Sequence, residues 1–162
     1  MICLDMDGVL LNYGNHTTES RVNHEFIRSL ADSGVEKVSI CTNQGGLVFS
    51  GSNPQQYPTP QRFIERAQTA IGALHRYGFE IESVHVAFFH PKAKISELMK
   101  VHEILSEIAP KKFILWNSEE YRKPNPGMLI AARCTIFYGD SDEDGQAAAA
   151  AGCEFVRVER FL

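Results

Sequence analysis

Several things are missing from this sequence, and each absence excludes a class of protein. No apolar run approaches the roughly 20 residues needed to cross a bilayer, and Met1-Ile2-Cys3-Leu4 meets charge too early to read as a secretory leader. A cytoplasmic protein without membrane contact is expected. The four cysteines, Cys3, Cys41, Cys134 and Cys153, are scattered and show no CxxC or CxH pairing, so reduced core thiols are expected rather than a disulfide framework. There is no GxxxxGK[ST] segment, which removes the P-loop kinases. A basic excess is also missing: the net charge is -4, which gives no global argument for nucleic-acid binding. The basic residues Lys92, Lys94, Lys100, Lys111, Lys112, Arg122 and Lys123 do gather in one region, and they read as a solvated face.

What is present is an alternation of short apolar runs and amphipathic segments. With 162 residues, residues 1 to 162 read as one domain with a single substantial core. Met1 to Asp5 predicts a strand, followed by a helix from about Glu19 with Val22, Phe26 and Leu30 at helical spacing and Gly34 behind it. Val38 to Cys41 predicts a second buried strand. Thr59 and Pro60 form a helix start, Phe63, Ala67, Ile71 and Leu74 its apolar stripe, and Gly78 its end. Val84 to Phe89 reads as a third strand, and Ser96 opens a helix carrying Leu98, Val101, Leu105 and Ile108. Phe113 to Trp116, Thr135 to Tyr138 and Phe155 to Val158 are the remaining strands. The pattern implies βαβ units and a mostly parallel, doubly wound sheet, whose right-handed crossovers gather the strand C-termini on one edge.

Polar clusters follow the strands. "DMDGVL" places Asp5 and Asp7 at the end of the first strand with Gly8 behind them. "CTNQGG" places Thr42 and Asn43 at the end of the second; a hydroxyl and the N–H groups freed by Gly45 and Gly46 suit an oxyanion, although such a segment is also an ordinary turn. "GDSDEDG" presents Asp140, Asp142, Glu143 and Asp144, which either cap the helix Gln146 to Ala151 or offer oxygens to a hard cation such as Mg²⁺. In "YRKPNPGM", Pro124 and Pro126 stiffen the approach to Lys123.

In this order, "DMDGVL", "TNQ", "RKPNPGM" and "GDSDEDGQAAAAAG" resemble the signature of the haloacid-dehalogenase-like (HAD) phosphatases over nearly the whole chain. Their wording is nearest to the branch with histidinol-phosphate, heptose-bisphosphate and polynucleotide 3′-phosphatases. The resemblance implies a three-layer, Rossmann-like α/β fold, and too few residues lie between Asp7 and Thr42 for a large cap domain. It implies Asp5 as nucleophile forming an aspartyl-phosphate, Asp7 as general acid and base, and Lys123 as the neutralising cation. Thr42, Asn43, Gln44 and Arg122 would bind substrate; Mg²⁺ would be held by Asp5, the Asp7 carbonyl and Asp140, with Asp144 a further ligand or water-positioning group and Ser141 assisting. The charge balance agrees, because a phosphate monoester and two aspartates repel one another until cations intervene.

Departures from the pattern bear on the substrate. Tyr121 stands where several relatives carry a zinc-loop cysteine, and His85 and His90 have no cysteine nearby, so no structural zinc is expected. An uncovered site and the tail "GCEFVRVERFL" favour a terminal 3′-phosphate of nucleic acid as substrate. A small sugar or alcohol phosphate is the alternative, and a non-catalytic binding protein on the same scaffold a third reading. The loop from Gln44 to Tyr57, with Phe49 and Tyr57, is expected either to overhang the site or to be a surface connection.

Overall fold

The computed structural model describes residues 1 to 14 and 19 to 162. Among them, alternating apolar and small side chains build a three-layer α/β sandwich around a six-stranded sheet in the order β4-β3-β2-β1-β5-β6. The strands are β1 (Ile2–Leu4), β2 (Lys37–Asn43), β3 (Glu80–Ala87), β4 (Phe113–Trp116), β5 (Ile136–Gly139) and β6 (Glu154–Arg157), and every pairing is parallel. Such a sheet must be covered on both faces, and strand periodicity divides its side chains accordingly. Leu4, Val38, Ile40, Val84 and Val86 join one core with α1 (His24–Asp32), α2 (Pro60–Arg76) and α3 (Ile95–Ile108). Cys3, Cys41, Ala87 and Phe137 join the other with α4 (Gly127–Ala131) and α5 (Asp142–Ala151). The expected fold class is the observed one. No helix of the described residues is long and apolar enough to cross a membrane.

The end signals of α2 work as read: Thr59 accepts the Arg62 N–H at 3.1 Å, Pro60 occupies the first turn, and Gly78 follows with φ of 91°. The first helix departs from expectation. It begins at His24 rather than near Glu19, because Asn23 caps it through the Phe26 N–H. Val22 instead bridges Leu11 in antiparallel fashion, and the Asn12 N–H donates to the Arg21 carbonyl at 3.0 Å. This local pairing competes successfully with a longer helix.

Other segments differ as well; β3 begins at Glu80 rather than Val84. The third helix starts at Ile95, not Ser96, with Glu97 accepting the Lys94 N–H at 2.8 Å. Gly45–Phe49, expected as loop, is a 3₁₀ helix that buries Leu47 and Val48. The helix predicted over Gln146 to Ala151 begins earlier, at Asp142, because Ser141 and Asp144 form a reciprocal capping box. The short helix α4 was not expected.

Candidate active site

β1 lies between β2 and β5, where the chain direction across the sheet reverses. In open α/β sheets the crevice at the strand C-termini beside such a switch point is where ligands bind. Asp5 stands one residue past β1, Thr42 and Asn43 end β2, Asp140 follows β5, and Lys123 arrives on the loop before α4. A cleft of about 740 Å³ opens there, lined by Asp5, Asp7, Thr42, Asn43, Gln44, Lys123, Asp140, Ser141 and Asp144, among others.

Lys123 sits at the centre, with only 2% of its surface exposed. Its ammonium lies 2.7 Å from Asp144 Oδ1 and 3.2 Å from Asp5 Oδ1, and it donates to the Cys41 carbonyl at 3.1 Å. Asn43 holds that segment in place: its amide nitrogen donates to the Lys123 carbonyl at 2.9 Å, and its amide oxygen accepts the Lys123 N–H at 3.0 Å. The Asn43 side chain is thus used for positioning, and the residue also lines the cleft. The Lys123–Pro124 peptide is cis.

Asp5, Asp140 and Asp144 each present an oxygen within 4.8 Å of the others. Three carboxylates this close repel unless positive charge stands among them. Burial is the largest influence on Asp5, and with Asp144 and Asp7 nearby it holds this carboxyl well above its usual range, despite Lys123 and the Met6 N–H. For Asp144 burial acts in the same direction, but attraction to Lys123 and hydrogen bonds from Lys123 and Ser141 prevail and keep it below the usual range. Burial likewise disfavours the Lys123 ammonium, yet Asp5 and Asp144 outweigh it and raise its pKa. The remaining negative excess and the all-oxygen donor set fit a hard divalent cation.

The other expected residues divide. Gln44 donates from one amide to both Thr42 Oγ1 (2.9 Å) and Asp7 Oδ2 (3.0 Å), joining the second-strand motif to the first. Ser141 serves as the cap of α5. Arg122 is not among the residues lining the cleft; it donates to the Phe89 carbonyl at 3.0 Å and packs so closely beneath Gly45 that a Cβ there would lie 2.2 Å from its guanidinium. The loop from Gln44 to Tyr57 borders the site through Gln44, Gly45, Gly46 and Gln56, and Phe49 is packed between Tyr57 and His90. His85 is a core residue on β3, 2% exposed.

Two arginines escaped the sequence reading. Arg66 of α2 reaches Asp7 Oδ1 at 2.8 Å, and Arg160 donates to Asp140 Oδ2 at 2.6 Å with its guanidinium over the Tyr13 ring. Arg66 left a trace: it falls three residues after Phe63, on the buried stripe of its helix, where a charge is out of place unless paired. Arg160 left none, because only the path of the chain after β6 brings it to the cleft.

Fold and cleft together define an α/β protein with a carboxylate-lysine centre at the switch point of a parallel sheet. No family model matches the chain. The chain is similar to the D-glycero-beta-D-manno-heptose-1,7-bisphosphate 7-phosphatase of Escherichia coli (strain K12), 25% identical over 164 residues that cover 93% of this chain and 73% of that protein. The protein of the same name from Salmonella typhi is 26% identical over 164 residues, covering 93% and 74%. These distant relatives are named phosphatases.

Proposed function

We propose that this protein is a magnesium-dependent phosphomonoester hydrolase acting through an aspartyl-phosphate. The observation that carries the reading is the meeting of Asp5, Asp140 and Asp144 around Lys123 at the switch point. Mg²⁺ held by Asp5, the Asp7 carbonyl, Asp140 and Asp144 would supply positive charge to the phosphoryl oxygens and favour ionised Asp5.

An Asp5 carboxylate oxygen attacks phosphorus. Asp7 gives a proton to the departing oxygen and then takes one from the water that hydrolyses the intermediate. Lys123 fixes the nucleophile and balances its charge, while Thr42, the Asn43 amide and Gln44 receive the phosphoryl oxygens. Arg122 supports this cradle from below Gly45 rather than touching phosphate. The three-layer unit over residues 1 to 162 acts as one domain.

For the leaving group we favour a small sugar or alcohol phosphate over a nucleic-acid 3′ end. Asp142 and Glu143 stand on the cleft wall, where they would oppose a polyanionic strand, and the relatives above are named for a sugar bisphosphate. The test measures phosphate release from sugar phosphates, a 3′-phosphorylated and a 5′-phosphorylated oligonucleotide, and para-nitrophenyl phosphate, with Mg²⁺ and with chelator. Sugar phosphates should be turned over fastest, only with Mg²⁺, and Asp5→Asn should abolish turnover. Faster release from the 3′-phosphorylated oligonucleotide would reverse the substrate choice, and an active Asp5→Asn variant would remove the nucleophile assignment.

A further inference from the structure

Asp7 differs from its neighbours at the site. Asp5 and Asp144 share the Lys123 ammonium, whereas Asp7 is held by Arg66, a residue of α2. The Arg66 side chain is 7% exposed and that of Asp7 32%. One Arg66 nitrogen, Nη2, donates to Asp7 Oδ1 at 2.8 Å and to the Asn12 carbonyl at 3.1 Å; the other, Nη1, donates to Ser20 Oγ at 3.0 Å. A single guanidinium therefore joins the Asp7 carboxylate to two points, Asn12 and Ser20, of the connection between β1 and α1. The second oxygen of Asp7 is held by Gln44, so the plane of the carboxylate is fixed from two directions.

A structural role alone explains this poorly. Burying a guanidinium carries a desolvation penalty, and apolar residues of similar volume commonly serve stability as well or better. What an apolar residue cannot do is aim a carboxylate. Successive strand residues point to opposite faces, and Asp7 comes after the strand has ended, on backbone that turns at Gly8 with φ of 84°. Without an external hold, its carboxylate would sample several rotamers, whereas proton transfer requires a heavy-atom separation of roughly 2.6 to 3.2 Å.

We propose that Arg66 is the positioning residue for Asp7 in proton transfer, an inference that presupposes the phosphatase reading above. As the bond between phosphorus and the leaving oxygen breaks, Asp5 oxygen bonds to phosphorus and the Asp7 carboxyl proton passes to the leaving oxygen. In the second half, water oxygen bonds to phosphorus, its proton returns to Asp7, and the Asp5–phosphorus bond breaks, which restores both aspartates. Arg66 exchanges no proton; it keeps the Asp7 carboxylate where both transfers occur.

The test compares two probes with Mg²⁺ present: β-glycerol phosphate, whose alkoxide must be protonated as it leaves, and para-nitrophenyl phosphate, whose phenolate departs as a stable anion. Arg66→Met should lower kcat on β-glycerol phosphate by about 100-fold, the low end of general acid catalysis. On para-nitrophenyl phosphate it should lower kcat by less than about tenfold, with KM little changed on either probe. Arg66→Lys, which retains a charged donor, should recover part of the loss on the alkyl phosphate alone. If circular dichroism shows that Arg66→Met is unfolded, the same ratio of losses is read from Arg66→Lys. Equal losses on both probes, a loss expressed only in KM, or no loss overturns the assignment. Wild-type protein inactive on both probes overturns the phosphatase reading and this one with it.

Discussion

Gly8 shows how one residue serves both backbone and site. Its φ of 84° belongs to the left-handed region, and a Cβ there would lie 2.2 Å from Asp140 Oδ2. Gly8→Ala therefore combines a backbone cost of about 1 to 2 kcal/mol with a forced shift of Asp140. We expect lower stability in urea denaturation and weaker Mg²⁺ binding by calorimetry. A variant with wild-type cation affinity would mean that Asp140 moves aside without loss. The same scale explains Lys123, which the sequence marked just ahead of Pro124 and Pro126 and the structure buries against two carboxylates. Its selection as a candidate was legible because Lys-Pro stands in a recognisable motif. The partnership with the Asn43 side chain was not, since 80 residues separate the two.

At the scale of elements, β3 and β4 carry a polar chain within the second core. Trp116 Nε1 donates to His85 Nδ1 at 3.0 Å, which leaves Nε2 as the protonated nitrogen, 2.9 Å from Ser83 Oγ, and Ser83 continues to Ser39 at 3.1 Å. A second proton on the ring would face the Trp116 N–H. Burial lowers the His85 pKa to about 4, below the ordinary imidazole value of 6.5. With the folded pKa depressed, the unfolded chain binds more protons between these values, so stability is lost as pH falls from 6.5 towards 4 and is unaffected by this group at higher pH. The loss approaches on the order of 3 kcal/mol at the acid end. Urea unfolding of the wild type and of His85→Asn across this range checks it: the difference between their stabilities should shrink as pH falls, and a constant difference would exclude His85 as the source. Element legibility followed the strength of local signals. Thr59-Pro60 and Gly78 bracket α2 almost as read, whereas α1 lost its expected first turn to the pairing of Val22 with Leu11, a contact between segments that no helical periodicity reveals.

For the molecule as a whole, strand order matters most, because β1 becomes central only when β5 pairs on its far side. That pairing brings the acidic cluster after β5 to the aspartates after β1, and the chain beyond β6 returns to the same edge, where the Phe161 N–H donates to the Gly8 carbonyl at 2.9 Å. A cation bound only by the assembled cluster stabilises the folded state by mass action, about 2.7 kcal/mol at 100 times its Kd. For a chain of this size, that is a rise in Tm of roughly 5 to 10 °C. Thermal melting with Mg²⁺ and with chelator should show the rise in the wild type and not in Asp140→Asn; equal melting in all four samples would argue against a cation at this cluster. By itself the sequence determined the α/β class, the polar clusters at strand ends and the acidic and lysine groups of the centre, because periodicity, capping and motif order are local properties of the chain. Only the tertiary structure decided that Arg66 holds Asp7, that Arg160 holds Asp140 and that Arg122 turns away beneath Gly45. The reason is that a long charged side chain takes its partner from whatever the packed helices and returning chain place within reach, and distance along the sequence carries no record of that.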